Sequence, residues 1–489
     1  MKRAEPLVKG RESFPKTVSH DERMPEVKRE YIERDPLESP GFKTLRKYLE
    51  KRRLRSVGGS ESFEDHEREL HRLISDWEAD LLASDLVRHD VEAKYISVDG
   101  VRYRHAFRAE QTYVSQAGPM RVERSLYQPV GGGPSISPME LGAGIVEGTW
   151  TPRAARIMAT MVAEVPPGDA EGIIAEFGGM TPSASSLDRI PKFLSARWEE
   201  HRIEREEELR AVDAVPKEAV VIAVSLDGVH VPLKKKEVQD DPKNKNGYRE
   251  ASCGTVSYLD EDGNRLSTMR FGRMPESKKR TLKSQLEAEF DWAMAQRPDL
   301  KVVKVADGAP DNWEFLHALG GGEGTEILDF YHAAEHLKKA ADAVHGAESV
   351  GAKALFASWR TTLKDDPQGA EKVIRAVRYR RDQATGSARK TLTAALKYFR
   401  GMQGGMDYHL YKALGLPIGS GVVEATCKTL VSERLKQSGM RWTIRGGQAI
   451  LTLRSLCQSD RWEEAWASLA RSYKAKVRVA EEHRSRRAA

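Results

Sequence analysis

The sequence predicts an α/β fold organised around a buried β-strand, and three observations lead to this prediction. The run 219–225 is apolar at six of seven positions and contains four β-branched residues, which favours a strand covered on both faces. It leads into an Asp-Gly pair at 227–228. A second run, 302–306, ends in the same way in an Asp-Gly pair at 307–308. Around these runs, strand-like and helix-like segments alternate, as they do in α/β proteins.

The order of the predicted elements defines the sheet more closely. Three strands with antiparallel links come first, and strand–helix–strand crossovers follow. The predicted strands are 219–226, 248–258, 265–273, 302–306 and 326–330, and the predicted helices are 277–296, 311–319 and 332–344. This is the strand order of an RNase H-like core, in which the first and fourth strands are neighbours. The purely helical stretch 350–414 is then expected to be an α-helical insertion.

Composition limits the classes of protein that fit. The 489 residues exceed one ordinary domain, so we expect roughly two to four. The net charge of +6 is small, but basic residues concentrate in the first 60 residues and in 474–487. Such tails are typical of proteins that bind a polyanion, and solvated tails give the same pattern.

Cysteine usage and hydropathy exclude further classes of protein. The three cysteines lie far apart with no CxxC pair, which argues against a disulfide framework and a cysteine zinc site. No apolar run resembles a signal peptide or a membrane span, so the expected location is the cytoplasm.

The chain divides into eight predicted segments. Residues 62–88 have helical spacing of apolar residues and 95–129 resemble short strands, whereas the start of the chain shows no period. The segments are a disordered basic arm (1–60), an N-terminal helix and small β region (61–135), a helix-turn-helix-like DNA-binding region (136–195), a charged helical linker (196–217), the first part of the core (218–349), the insertion (350–414), C-terminal core helices (415–473) and a basic tail (474–489).

The helix-turn-helix-like region is predicted from two helices joined by a glycine turn. The first covers 169–177, and the second covers 183–194 with Thr181 as its N-cap and Pro182 in its first turn. In such a motif the second helix enters the major groove of DNA. The candidate contacts are Ser183, Ser185, Ser186, Arg189 and Lys192. Any helical bundle contains similar turns, so a purely structural role is the alternative.

Two aspartates and one glutamate are the candidate metal ligands. Asp227 and Asp307 follow strands that are neighbours in the predicted sheet, and Glu424 lies in the first turn of a helix after a glycine loop. Carboxylates are the ligands that Mg²⁺ prefers, and two ions about 4 Å apart can activate an attacking hydroxyl and stabilise a leaving oxygen. An Asp-Gly pair alone is more commonly a turn. Asp311 competes with Asp307 but is better explained as a helix N-terminal residue.

Basic residues beyond the candidate glutamate are predicted DNA contacts. Lys428 lies one helical turn further along the same face, where it could hold a phosphate. Arg434, Lys436 and Arg441 extend this basic stretch, and Trp442 could stack on an unpaired base. For Trp442, a core or interface aromatic is the alternative.

Four stretches resemble one family of proteins. They are VSLDGVHVPLK, VKVADGAPDNW, LDFYHAAEHLKKA and LPIGSGVVEATCKTLVSERLKQSGMRW. Together they are similar to bacterial insertion-sequence transposases of the DDE class, in the ISKra-type group related to the Mutator-like elements. The resemblance covers roughly residues 95–470 and implies an Asp-Asp-Glu triad, which maps onto Asp227, Asp307 and Glu424.

The resemblance carries further implications. It implies an Asp-x-x-His pair, matched by Asp329 and His332, whose role is either to brace the site, to touch DNA or to satisfy hydrogen bonds. It also implies a helical insertion and binding to the inverted ends of an element. Relatives carry a cysteine pair after the N-terminal strands, whereas residues 127–132 contain no cysteine, which argues against zinc there.

The predicted function is therefore that of a DDE transposase in the bacterial cytoplasm, associated with the nucleoid. Two Mg²⁺ ions, replaceable by Mn²⁺, would serve hydrolytic nicking at inverted repeats and attack of the freed 3′-hydroxyl on target DNA. A homodimer or higher oligomer is expected, because two DNA ends must be held. Two alternatives remain: a transposase-derived DNA-binding protein without activity, and an RNA-cleaving RNase H-like nuclease.

Overall fold

The computed structural model describes residues 35–54, 62–238 and 247–480. Its N-terminal part is a pair of helices packed beside a small antiparallel sheet. Helix α1 is Pro40–Arg53 and helix α2 is Phe63–Val87, and the strands are β1 Tyr95–Val98, β2 Val101–Ser115 and β3 Gly118–Pro129.

Helix α1 corrects the prediction of a disordered arm over residues 1–60. Ser39 caps the helix by accepting from the backbone N–H of Phe42, and Pro40 stands in the first turn. Gly41 lies against α2, where its N–H donates to the Asp80 carboxylate at 2.7 Å. Docking on α2 therefore orders a segment that has no apolar period of its own. Residues 1–34 and 55–61 lie outside the described residues.

A layer of helices follows the small sheet. It consists of α3 Pro138–Ala143, α4 Pro152–Glu164, α5 Pro167–Phe177, α6 Ala184–Glu200 and α7 Arg202–Val212. Ser183 caps α6, so the predicted cap at Thr181 is wrong by two residues. The predicted charged linker is helical, but Arg205, Glu206 and Arg210 are buried in it.

The central sheet has five strands. They are β4 Val221–Pro232, β5 Tyr248–Leu259, β6 Arg265–Arg273, β7 Lys301–Ala306 and β8 Thr325–Leu328. Their spatial order is β6-β5-β4-β7-β8, with β4 antiparallel to β5, β5 antiparallel to β6, β4 parallel to β7 and β7 parallel to β8. This mixed sheet with helices is consistent with the predicted RNase H-like core.

Helices cover both faces of the sheet. Helices α8 Arg280–Gln296, α9 Pro310–Ala318 and α10 Phe330–His345 follow the strands in chain order. Leu282, Leu286 and Phe290 of α8 pack on one face beside Ile222 and Val224, whereas Leu337 of α10 belongs to the core on the other face. Because β4 side chains alternate between two covered faces, the first four residues of the strand, Val221 to Val224, are all apolar.

The stretch 350–414 is helical, with α11 Val350–Asp365, α12 Gly369–Gln383, α13 Gly386–Gly401 and α14 Tyr408–Ala413. It shares the core of α10 and the β7–β8 edge through residues such as Phe399 and Tyr408. The Tyr408 hydroxyl donates to the Leu328 carbonyl at 2.9 Å, which fixes α14 to the end of β8.

The C-terminal helices complete the core. They are α15 Gly421–Thr426, a π-helical turn Cys427–Ser432, α16 Glu433–Leu435, α17 Ile444–Gln458 and α18 Trp462–Arg471. Leu430 and Leu451 pack in one hydrophobic cluster with Met158 of α4 and Leu187 of α6. The helix-turn-helix-like region is thus built into the same core as the C-terminal helices.

Strand β9, Val477–Val479, lies in the predicted basic tail. It pairs antiparallel with β1 and gives the small sheet the order β3-β2-β1-β9. Part of the tail is therefore a strand: Val477 pairs with Val98 and packs against the cluster of Ile96 and Tyr127, and Val479 pairs with Ile96. The rest of the tail, 481–489, lies outside the described residues. No described helix combines the length and apolar character that crossing a membrane requires.

Candidate active site

Asp227 and Asp307 lie beside each other at one edge of the central sheet. The parallel pairing of β4 with β7 runs up to Ser225 opposite Val305, and each aspartate stands two residues further along its chain. Strand β7 ends at Ala306, just before Asp307, but β4 continues through Asp227 to Pro232 because β5 keeps pairing with it. The predicted end of the first strand at Asp227 is therefore wrong, although the edge formed with β7 is where predicted.

Asp227 is half-buried and surrounded by few donors. Its Oδ1 accepts from the N–H of Gly228 at 2.6 Å, and the Cys427 thiol lies 3.7 Å from its Oδ2. Burial raises the pKa of Asp227 above its ordinary value, and the charge of Asp307 raises it further. A cation between these carboxylates would relieve both effects.

The start of α9 fixes Asp307. Its Oδ1 accepts from the Ala309 N–H at 3.1 Å and from the Asn312 amide at 3.2 Å. The same amide lies 3.4 Å from the Leu226 carbonyl on β4, so Asn312 links the two strands that carry the aspartates. The indole N–H of Trp313 donates to the Asp307 carbonyl at 2.6 Å.

Glu424 approaches from the opposite side, in the first turn of α15. Its Oε1 lies 3.1 Å from the Ser420 hydroxyl. Burial raises the pKa of Glu424, and the charge of Asp329 adds to the effect. Its side chain is 41% exposed, so its carboxylate remains accessible to a ligand or metal ion.

Asp329 braces the loop that carries Glu424. It is fully buried, and its Oδ2 accepts from both the N–H and the hydroxyl of Ser420. Its Oδ1 caps α10 by accepting from the His332 N–H at 2.7 Å. Through these hydrogen bonds, Asp329 braces the loop before Glu424 against the start of α10. This is one of the three roles that the sequence left open.

His332 lies between the carboxylates. Its Nδ1 is 3.4 Å from Asp329 Oδ1 and 3.8 Å from Glu424 Oε1, but no hydrogen bond of good geometry reaches this buried atom within the described residues. The Asp329 carboxylate raises the pKa of His332 to about 9, with smaller contributions from Asp307 and Glu424. At neutral pH, His332 is therefore a positive charge among the carboxylates of the site.

The structure groups the candidate ligands differently from the prediction. In residues 35–54, 62–238 and 247–480, the group whose ligand atoms all lie within 4.8 Å is Asp329, His332 and Glu424. The predicted triad of Asp227, Asp307 and Glu424 is not such a group in that part of the chain. The charge of Asp307 nevertheless raises the pKa of Asp227, and the charge of Asp227 raises the pKa of Glu424, so each carboxylate of the predicted triad lies within electrostatic range of another. Their hard oxygen donors fit Mg²⁺.

The insertion supplies one wall of the site. A Cβ at Gly308 would lie 2.2 Å from the ring of Tyr398 on α13, so the ring sits directly against the main chain after Asp307. Tyr398 also stacks on His336 of α10 with ring centroids 3.8 Å apart. A side chain at position 308 would displace this wall, which explains the glycine there.

The predicted DNA contacts after Glu424 separate into two groups. Lys428, Lys436 and Arg441 are exposed. Arg434 is 1% exposed, and its Nε and Nη2 both donate to the Val162 carbonyl at 3.2 Å, so its assignment to DNA binding is wrong. Trp442 is half-buried, beneath the Arg434 guanidinium at 5.4 Å.

Trp442 contacts the protein through its indole ring and through its main chain. Its indole N–H donates to the Leu435 carbonyl at 2.9 Å, and its main chain pairs with Pro232 and Lys234 next to β4. It also packs against the hydrophobic cluster of the C-terminal helices. These contacts favour the alternative of a core or interface aromatic.

The predicted contacts on α6 lie far along the chain from the site. Arg189 is exposed, whereas Lys192 pairs with Asp188 at 2.5 Å. The opposite side of α6 is buried through Leu187, Ile190 and Leu194. The helix therefore has one packed and one open face.

Sequence inspection missed Ser420, Asn312, Cys427 and Tyr398 as residues of the site. Ser420 had a signal, because it stands between two glycines directly before the helix that carries Glu424. The other three are identified only by contacts between distant segments.

No family model and no curated protein matches the chain. Among solved structures, the chain is similar to one described as a Drosophila P element transposase strand transfer complex. The match has a TM-score of 0.25 and 11% identity, and it covers 65% of this chain and 83% of that chain. A TM-score this low gives no basis for transferring function.

Proposed function

We propose that the protein is a metal-dependent enzyme that cleaves and transfers DNA strands, as DDE transposases do. The observation that carries the proposal is the register of β4 and β7, which sets Asp227 and Asp307 side by side. Glu424 supports it, because the charge of Asp227 contributes to the raised pKa of Glu424. Burial raises the pKa values of Asp227 and Glu424, although the charge of His332 opposes both shifts, and partly desolvated carboxylates of this kind are common at functional sites.

Asp227, Asp307 and Glu424 would hold Mg²⁺, or Mn²⁺ in its place. Bound in pairs, such ions activate a water or hydroxyl for attack on a phosphodiester and stabilise the leaving oxygen. The protein's own residues fix the geometry: Asn312 orients Asp307, and Asp329 with Ser420 holds the loop before Glu424. Exposed Lys428, in the turn after Glu424, would contact a DNA phosphate.

The DNA flanking the gene is first searched for inverted repeats, and the test is cleavage of DNA that carries such repeats. Asp227→Asn, Asp307→Asn and Glu424→Gln should each lower the cleavage rate at least a thousandfold, roughly the loss expected when a group acting on the transition state is removed. Binding of the same DNA in the presence of EDTA should change little.

Asp311→Asn is the matched control. Asp311 is a neighbouring aspartate, but its carboxylate is 48% exposed and pairs with Lys283 at 3.1 Å, away from the triad. Its cleavage rate should stay within about twofold of the unchanged protein. A triad variant that cleaves at the native rate would show that the proposal is wrong.

The same proposal predicts DNA as partner and a dimer as the active form. Two DNA ends need two sites, so a complex with both ends should contain at least two chains. Mass measurement of the protein alone and with end-bearing DNA checks this.

A further inference from the structure

At the end of the small N-terminal sheet where β1 and β9 pair, one face is covered and the other is open. At the far end, Met120 and Val122, which lie on that second face, are buried in a cluster with α2. Ile96 and Tyr127 are fully buried and Val98 is nearly so, and they form a hydrophobic cluster under the sheet. Side chains alternate between the two faces of a strand, so the residues between these positions lie on the opposite face.

Strand register places three arginines on that open face. Ser97 of β1 is paired with Arg102 on one side and with Arg478 on the other. In the next row, Tyr95 is paired with Arg104. Directly paired residues point to the same side of a sheet. We call the surface formed by Arg102, Arg104 and Arg478 with Tyr95 and Ser97 the basic face.

The basic face has the spacing of a phosphate-binding surface. Two residues along a strand are about 7 Å apart, and two strands across are about 9.5 Å apart, so the guanidinium groups spread over the surface without crowding. Of the paired positions on this face, 95, 97, 102, 104, 128 and 478, none is acidic. The Arg102 guanidinium lies 4.3 Å from the centre of the Tyr95 ring, which steadies it.

We infer that the basic face binds the phosphate backbone of duplex DNA outside the active site. The inference rests on the proposed function for the identity of the polyanion. The exposed guanidinium groups of Arg104 and Arg478 suit phosphate oxygens. The face reads no base edges, so it supplies affinity and orientation and leaves sequence preference to other residues.

The test compares salt dependence of binding in the full chain. Arg104→Gln with Arg478→Gln removes two positive charges, and Arg121→Gln removes one from the same sheet. Arg121 is exposed and pairs with Thr112, about 25 Å along β2 from Arg104, so it controls for the loss of a positive charge elsewhere on the sheet. Binding of a labelled duplex is measured by fluorescence anisotropy in EDTA, between about 50 and 200 mM salt.

Each lost phosphate contact lowers the slope of log K against log salt by about 0.9. The double variant should therefore lose about two units of slope and bind more than tenfold more weakly at about 0.1 M salt. Arg121→Gln should keep the native slope, and thermal melting should show that all three proteins are folded. The same loss is expected on duplexes with and without element ends.

The outcomes separate this inference from the proposed function. Three results would each contradict DNA binding by the basic face. They are a native salt slope in the double variant, no binding of duplex DNA by the wild-type chain, and tighter binding to duplex RNA than to duplex DNA. A slope loss in a protein that fails to cleave any DNA would leave the basic face standing and remove the proposed chemistry.

Discussion

Arginines occupy two opposite environments in this molecule. In the C-terminal helices, Arg434, Arg454 and Arg461 are at most 5% exposed and bind main-chain carbonyls or carboxylates. On the basic face, Arg104 and Arg478 are exposed and pair with neutral residues across the strands. The same residue type therefore stabilises the fold in one region and is available for a polyanion in the other.

Specific buried polar groups explain why these arginines lie in the interior. The π-helical turn Cys427–Ser432 departs from α-helical hydrogen bonding, and Arg454 donates to the carbonyls of Thr429 and Leu430 within it. Arg461 makes two hydrogen bonds to Glu289, which is fully buried, and a third to Asp213. These guanidinium groups compensate buried polar atoms and cannot be released to DNA without unfolding.

The largest expected effect that separates the two environments is at Arg461. Arg461→Met leaves Glu289 buried, with Arg210 at 3.9 Å as its remaining ion-pair partner among the described residues. The free energy of unfolding should fall by about 3–5 kcal/mol, as for other buried charges that lose their partner. Urea unfolding measures it.

The matched control for that change is Arg471→Met. Arg471 pairs with Glu208 at 2.7 Å, but both side chains are more than half exposed. Its loss should cost less than about 1 kcal/mol. Equal costs at the two positions would contradict the contrast between interior and surface arginines.

A smaller effect is expected at Arg434. Arg434→Met leaves the Val162 carbonyl without its donor, which should cost about 1–3 kcal/mol in urea unfolding. Binding to duplex DNA should stay within about twofold of the native value. Loss of DNA affinity with unchanged stability would restore Arg434 as a DNA contact and undo the comparison.

The smallest effect is a change in pH dependence at Glu206. Burial raises the pKa of Glu206, although Arg202 at 2.9 Å opposes the shift. The unfolded chain then releases this proton at lower pH than the folded chain does. The stabilisation of the folded state that comes from this raised pKa is fully present below the ordinary glutamate pKa. It is lost as pH rises through the pKa of Glu206 in the folded protein.

Glu206→Gln tests that direction. The amide side chain of the variant cannot titrate, so the midpoint of thermal unfolding should fall less between about pH 4 and 7 than in the native protein. Melting curves at several pH values check it, with Glu207→Gln, the exposed neighbouring glutamate, as control. A steeper fall in the Glu206 variant would contradict the assigned sign.

Much of the fold follows from local patterns in the sequence. The runs before Asp227 and Asp307 are apolar and β-branched because their strands are covered on both faces, so their place in the sheet was predictable. The continuation of β4 beyond Asp227 was not, since it depends on pairing with β5. Helix α1 and strand β9 were missed for the same reason: distant segments order them.

The sequence marks candidate residues for the site but not how their side chains are arranged. Asp-Gly pairs and a glycine loop point to Asp227, Asp307 and Glu424. The hydrogen bonds of Asp329 could not be predicted, because Ser420, whose N–H donates to Asp329, lies 91 residues further along the chain. The sequence does not distinguish a buried arginine from an exposed one, so the burial of Arg434 could not be predicted either.

The small sheet can be completed only late in synthesis, because it includes strand β9. The open edge of β1 is made early, yet the strand that closes it, Val477–Val479, is among the last described residues to leave the ribosome. Until then, the N-terminal region presents unpaired N–H and C=O groups, which are a template for wrong pairing. A chain truncated before Val477 should therefore aggregate through β1, so the closing strand also acts as a safeguard for the growing chain.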